Sequence, residues 1–248
     1  MIRTIALAAG AAFLLVSVRP ALADTTVVAL VASNAADAFR DVAAEYEKAH
    51  PGVHVQISAA GSKVIVAQLE QGAAADVIVV SSSFADGSKN VDAPVKLFAN
   101  HTVISAAKNG KVKSARDLAN AGVRVGSGTT GSVAAQISDE TLTKLAGAYG
   151  ADFPAKVKAN ITLTKTALEQ IQKAVDDGVV DAAILFAADA DTGRSNVIDL
   201  GDKSVTVPYS GAVVKNAKNG AQARDLLAML GSSEGQAILK KRHHDLLK

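Results

Sequence analysis

Apolar positions along the chain fall into two alternating patterns. Short runs of consecutive apolar residues are each followed by a stretch in which apolar residues recur every three or four positions. The run 27–31 predicts a strand, and Phe39, Val42, Ala43 and Tyr46 then recur at helical spacing until Pro51-Gly52 stops the helix. A strand follows over 53–57, and a helix begins at Val64, Ala67 and Gln68 and ends at Gly72. Residues 76–80 read as a buried strand, after which Ser81-Ser82-Ser83 opens a loop around 87–94. Beyond a strand at 102–106 and a turn at Asn109-Gly110 the pattern restarts. Its second half has a strand at 123–125, a glycine-rich turn, a helix from Ser132, a helix through Leu168, Ile171 and Val175, and a strand at 181–186. A strand over 205–214, interrupted by Pro208, and helices near 221–230 and 234–242 close the chain. This alternation predicts α/β layers around mostly parallel sheets.

The first residues break the pattern. Arg3 precedes an apolar stretch at 5–18, and Ala21-Leu22-Ala23 forms a small-x-small site before Asp24. The apolar stretch is too short to span a bilayer, and Arg19 and Pro20 interrupt it. Residues 1–23 are therefore expected to be a signal peptide cleaved near Ala23, which places a soluble protein in the periplasm.

Charge and composition narrow the partners. The 248-residue chain has 26 basic and 24 acidic residues, and without Arg3 and Arg19 the counts are 24 and 24. A near-zero balance argues against nucleic acid or an anionic membrane. The chain has no cysteine, which removes thiolate metal sites, cysteine nucleophiles and lipid attachment through a thiol. Six Phe, three Tyr and no Trp leave little for an aromatic sugar platform. No Ser/His/Asp order, paired carboxylates or metal–water motif stands out, so no enzyme activity, no cofactor and no directly coordinated metal are expected.

Ser33 and Ser62 each sit where a strand turns into a helix. Helix N-termini carry unpaired N–H groups and partial positive charge, so two such turns suit a small anion. Capping its own helix is the ordinary use of either serine. Gly126-Ser127-Gly128-Thr129-Thr130-Gly131 matches G-x-G-x-x-G, which opens a dinucleotide-dependent enzyme as an alternative. Its acidic partner about 20 residues on is missing from a strand end, since Asp152 lies in a turn. The same turn serves equally as an anion-facing helix start lined by Thr129, Thr130 and Ser132. His50 and His54, and His243-His244, lack metal-ligand company and read as solvated surface histidines. Asp189 and Asp191 lack the other ligands of a calcium loop. Lys63, beside Ser62, is a candidate ligand-facing charge, whereas Lys165 and Lys173 read as solvated.

The segments VASNAADAF, EKAHPGVHVQISAAGS, QLEQGAAADVIVVSSS, VDAAILFAADA, VPYSGAVVKNAKN and SSEGQAILKK stand in this order. Together they resemble the molybdate-binding proteins of bacterial ABC importers, which are type II periplasmic binding proteins. The resemblance implies two α/β lobes joined by two hinge strands, with the ligand cleft between them: 24–104 plus 208–248, and 105–207. It implies a monomer that captures a tetrahedral oxyanion and delivers it to an ABC permease in the inner membrane. By motif position the ligand donors are Ser33, Ser62, the amides of Val133 and Leu168, and Ser132 nearby. The family's tyrosine hydroxyl falls at Phe186, where it is absent. The implied ligand is molybdate or tungstate; sulfate, phosphate or a small organic acid is the alternative.

Overall fold

The computed structural model describes residues 24–190 and 193–246; residues 1–23, expected to be a signal peptide, and Asp191 lie outside them. β1 (Thr25–Ala32) is parallel to β2 (Val53–Ala60) on one side and to β3 (Val77–Ser81) on the other. Parallel neighbours need crossovers. These are α1 (Ala36–Ala49) between β1 and β2, and α2 (Ser62–Glu70) between β2 and β3. The pleat sends successive side chains to opposite faces. Val77 and Val79 join Phe39, Val42 and Tyr46 of α1 in one core, completed by α7 (Gly220–Gly231) and α8 (Ser233–Lys241). Ile78 and Val80 join Ile65 and Leu69 of α2 in the other. Burial on both faces explains why 76–80 carries no alternation.

The second half repeats this plan. β5 (Val125–Gly128) is parallel to β6 (Ile161–Lys165) and β7 (Ala182–Phe186). α4 (Val133–Tyr149) and α5 (Phe153–Ala159) lead from β5 to β6, and α6 (Leu168–Asp176) leads from β6 to β7. Ile184 belongs to the core under α4 and α5, whereas Ala183 and Leu185 belong to the core under α6.

β4 (Val95–Ala107) runs through both halves. Its first part pairs antiparallel with β9 (Thr206–Val213) and β10 (Asp245–Leu246), and its last part with β7 and β8 (Ser195–Asp199). Across the described residues the strand order is β2-β1-β3-β9-β4-β7-β5-β6. The chain thus passes between the halves twice, side by side. Thr102 N–H donates to the Val205 carbonyl at 3.0 Å, and Val205 N–H donates to Thr102 Oγ1 at 2.9 Å.

Four features depart from the sequence reading. Residues after Ser81 continue as a helical turn, α3 (Ser82–Gly87), before the loop. α5 and β6 fill a stretch whose pattern is too short and polar to have been predicted. β9 is unbroken at Pro208 because that residue pairs with Ala99 of β4 before β9 begins its pairing with β3 at Tyr209, so its missing N–H is not needed. β5 extends to Gly128, so the first two glycines of the G-x-G-x-x-G run lie inside a strand. A Cβ on Gly126 would meet Ile171 Cγ2 at 3.0 Å, and one on Gly128 would meet the Ala135 nitrogen at 2.0 Å. Gly128 is required by helix–strand packing and Gly126 lies in tight contact with Ile171, which accounts for both glycines without a nucleotide.

An aspartate anchors the opposite end of each half. Asp76 accepts from the Val28 amide at 2.9 Å and the Asn219 amide at 2.8 Å. Asp181 accepts from the Arg124 amide at 2.8 Å and from its guanidinium at 2.9 Å. The Arg124 guanidinium holds the Asp181 carboxyl below its ordinary range.

Candidate ligand cleft

The carboxyl end of a parallel sheet, where crossovers leave on opposite faces, is where α/β folds place ligands. β1 ends in a 3-10 turn, Ser33–Ala35, and β7 ends in another, Ala187–Asp189. The two turns pack against each other across the halves. Between them and the start of α6 lies a cavity of about 550 Å³ whose walls include Ser33, Asn34, Asp37, Glu169, Gln172 and Asp189.

Ser33 is exposed, and its hydroxyl caps no helix. Ser62 is the first residue of α2, the cap position being Gly61, and its Oγ accepts from the Ser81 amide at 3.1 Å. The capping role open to both serines from sequence is therefore taken by neither. Ala32 and Ala60 are in register in the parallel pair, so the two serines leave the sheet at one edge. Ser62 itself is not a wall of the cavity that Ser33 lines.

Ser132, by contrast, does cap its helix: its Oγ accepts from the Ala135 amide at 3.2 Å. It borders a different cavity, also about 550 Å³, beside Thr130, Asp139 and Lys158. Val133 opens α4 and is half-exposed at 49 %. Leu168 opens α6 after Ala167, which supplies no side-chain cap. Its side chain packs on the core beneath α6, while Glu169 next to it faces the cavity. Phe186 is buried at the end of β7, opposite Thr102. Lys63 is exposed and outside the cleft walls.

Two cleft residues, Asn34 and Asp189, and Tyr209, which holds Asn34, went unrecognised in the sequence. Asn34 Nδ2 donates to the Tyr209 hydroxyl at 2.6 Å. Tyr209 is buried, its ring stacked on Phe98 with centroids 5.2 Å apart, and burial pushes its phenol up to about 12. Both lie in segments that carry the resemblance, next to Ser33 and in VPYSGAVV, but only long-range packing joins them. Asp189 looked like a failed calcium ligand, yet its Oδ2 is enclosed and has no hydrogen-bond partner among the described residues. Burial, with Glu169 and Asp37 nearby, raises its pKa to about 7. Its position three residues beyond a buried strand end was the available signal.

The basic side chains of the cavity wall have acidic partners. Arg40 pairs with Asp37, Lys173 with Asp177 at 2.6 Å, and Arg242 with Asp41 at 2.7 Å. Arg194 lies 3.8 Å from Asp176 and 3.4 Å from Asp177.

The histidines separate into different environments. His50 stacks on Tyr46 at 4.1 Å, and His54 and His243 are exposed. His244, expected to be solvated, is instead buried against Phe98 at 4.6 Å, and desolvation pushes its pKa down to about 4. Among the described residues no group of three His, Cys, Asp or Glu could hold a metal ion, and no helix is long and apolar enough to cross a membrane.

Known proteins share this organisation. YvgL of Bacillus subtilis, provisionally named an ABC transporter substrate-binding lipoprotein, is 29 % identical over 228 residues, covering 87 % of this chain and 85 % of YvgL. The molybdate-binding protein ModA of Mycobacterium tuberculosis is 26 % identical over 228 residues, covering 86 % of this chain and 82 % of ModA. The solved periplasmic molybdate-binding protein of Azotobacter vinelandii superposes with a TM-score of 0.76 at 16 % identity, covering 90 % of this chain and all of that one. That likeness shows the type II periplasmic binding fold. The model of the bacterial extracellular solute-binding protein family matches residues 27–243, and the chain, with its paired α/β halves and the cleft between their strand ends, belongs to that family.

Proposed function

We propose that this protein captures a tetrahedral oxyanion, molybdate or tungstate first, and presents it to an ABC permease. The observation that carries the reading is the cavity shared by Ser33 and the uncapped start of α6. An exposed hydroxyl that caps no helix and a helix N-terminus without a side-chain cap together supply neutral donors to an anion. The similarity to ModA supports molybdate over other anions. We assign the donors to Ser33 and Ser62 of the first lobe and to the Leu168 and Val133 amides and Ser132 of the second, with Phe186 closing the site without a hydroxyl.

The lobes of this reading are 24–104 plus 208–248, and 105–207. The paired passages at Thr102 and Val205 lie at that boundary and form the hinge. A ligand that contacts both lobes favours the closed form. The chain acts as a periplasmic monomer freed of residues 1–23. With no cysteine it has no thiol for the lipid anchor that the name of YvgL implies for that relative.

Calorimetry against molybdate, tungstate, sulfate, phosphate and small carboxylates tests the reading. Molybdate and tungstate should bind at least tenfold more tightly than the rest. Tighter binding of phosphate or a carboxylate would reject the molybdate assignment, and scattering unchanged at saturating ligand would reject hinge closure.

A further inference from the structure

On the oxyanion reading, the cleft holds an acid with no cation paired to it among the described residues. Asp189 lines the same cavity as Ser33 and Asn34, on the turn that packs against theirs. Its Oδ2 is sealed from solvent and has no donor among the described residues. Among the described residues no cation is paired with it, and the basic side chains of the wall are paired with Asp37, Asp41, Asp176 and Asp177. An ionised carboxylate there would repel an incoming dianion, whereas a protonated one offers it a hydrogen bond.

We propose, on the oxyanion reading above, that Asp189 meets the ligand in its protonated form, so that capture of the anion takes up a proton. The O–H of Asp189 then stands in for the hydroxyl that Phe186 lacks at the end of the same strand. The group is poised for this role, since burial, Glu169 and Asp37 raise its pKa to about 7.

Each element packed against this turn brings its own titratable and charged groups. From α6 come Glu169 and Lys173, the latter engaged with Asp177. From α1 come Asp37 and Arg40, paired together. β9 contributes Tyr209, pushed up to about 12, and the C-terminal segment contributes His244, pushed down to about 4, so both titrate away from neutrality. β4 contributes His101, hydrogen-bonded to Asp245 at 2.8 Å.

Calorimetry with molybdate between pH 6 and 8.5, in buffers of differing ionisation enthalpy, tests the coupling. With a pKa near 7 in the free protein, the wild type should take up about half a proton per molybdate at pH 7 and close to one at pH 8.5. Its Kd should rise roughly thirtyfold from pH 6 to 8.5. Asp189→Asn, which keeps a neutral donor, should bind with a flat pH profile and no proton uptake. Tight molybdate binding by the wild type with a flat profile and no uptake overturns the inference and leaves the oxyanion reading standing. A pH dependence retained in Asp189→Asn also overturns it. Failure of molybdate, tungstate, sulfate and phosphate to bind at any of these pH values removes both.

Discussion

Ser33 and Ser62 enter the proposed site alike but are held differently, so the same truncation should give different results. The Ser33 hydroxyl is exposed and caps no helix, so Ser33→Ala should leave the ligand-free protein within about 0.5 kcal/mol of wild-type stability. Ser62 Oγ accepts from the amide of Ser81, a residue only 8 % exposed. Ser62→Ala strands that amide, and a buried donor without a partner costs about 1–3 kcal/mol. Each serine retains its own hydroxyl proton for an anion, and a hydrogen bond to a charged group is worth about 1.5–3 kcal/mol. Both variants should therefore bind molybdate roughly ten- to a hundredfold more weakly. Urea unfolding without ligand and calorimetry with it separate the two quantities. Unchanged molybdate affinity in Ser33→Ala refutes the site, since Ser33 lines the cavity and has no capping role to obscure the result. Lost stability with unchanged affinity in Ser62→Ala would reduce that serine to a structural role.

His244 is unprotonated in the fold down to about pH 4 but protonates near 6.5 when unfolded, so the unfolded state binds more protons between those values. Stability should fall by about 3 kcal/mol on acidification through that window, and His244→Gln should flatten this part of the unfolding profile. Asp189 has the opposite sign: its folded pKa of about 7 lies above the ordinary 3.8, so ligand-free protein should lose stability as pH rises through 4–7. Asp189→Asn should then be more stable than wild type at pH 8, by up to about 4 kcal/mol in urea titrations. Asp181→Asn should lose about 1.5–3 kcal/mol at pH 7, because Arg124 loses its carboxylate, and the deficit should shrink in acid as the wild-type carboxyl protonates. Gly128→Ala forces a Cβ to within 2.0 Å of the Ala135 nitrogen and 2.5 Å of Ser132 Oγ. It should cost about 2–4 kcal/mol through overpacking and loss of the Ser132 cap, read as a lowered unfolding midpoint.

The order of apolar runs and helical faces determined the class of fold. A strand such as Val77–Ser81, buried on both faces, can be read as one uninterrupted run because each residue meets a core whichever way it points. Helix stops at Pro51-Gly52 and Gly72 were equally local, since a positive φ such as that of Gly72 at 85° belongs to one residue. The positions of Ser33 and Ser62 at strand ends were also legible, because the parallel register puts both at one edge. What each hydroxyl does was not. Ser62 bonds to Ser81, nineteen residues on, and Ser132 bonds inside its own helix, yet both are serines at strand-to-helix turns. The Asn34–Tyr209 bond spans 175 residues, and the raised pKa of Asp189 depends on burial together with Glu169 and Asp37 from two other helices. Hydrogen bonding and pKa are set by which groups share a space and how much water is excluded from it. Local sequence carries the backbone pattern that builds each wall, and only the packing of one half against the other decides which side chains face one another across the cleft.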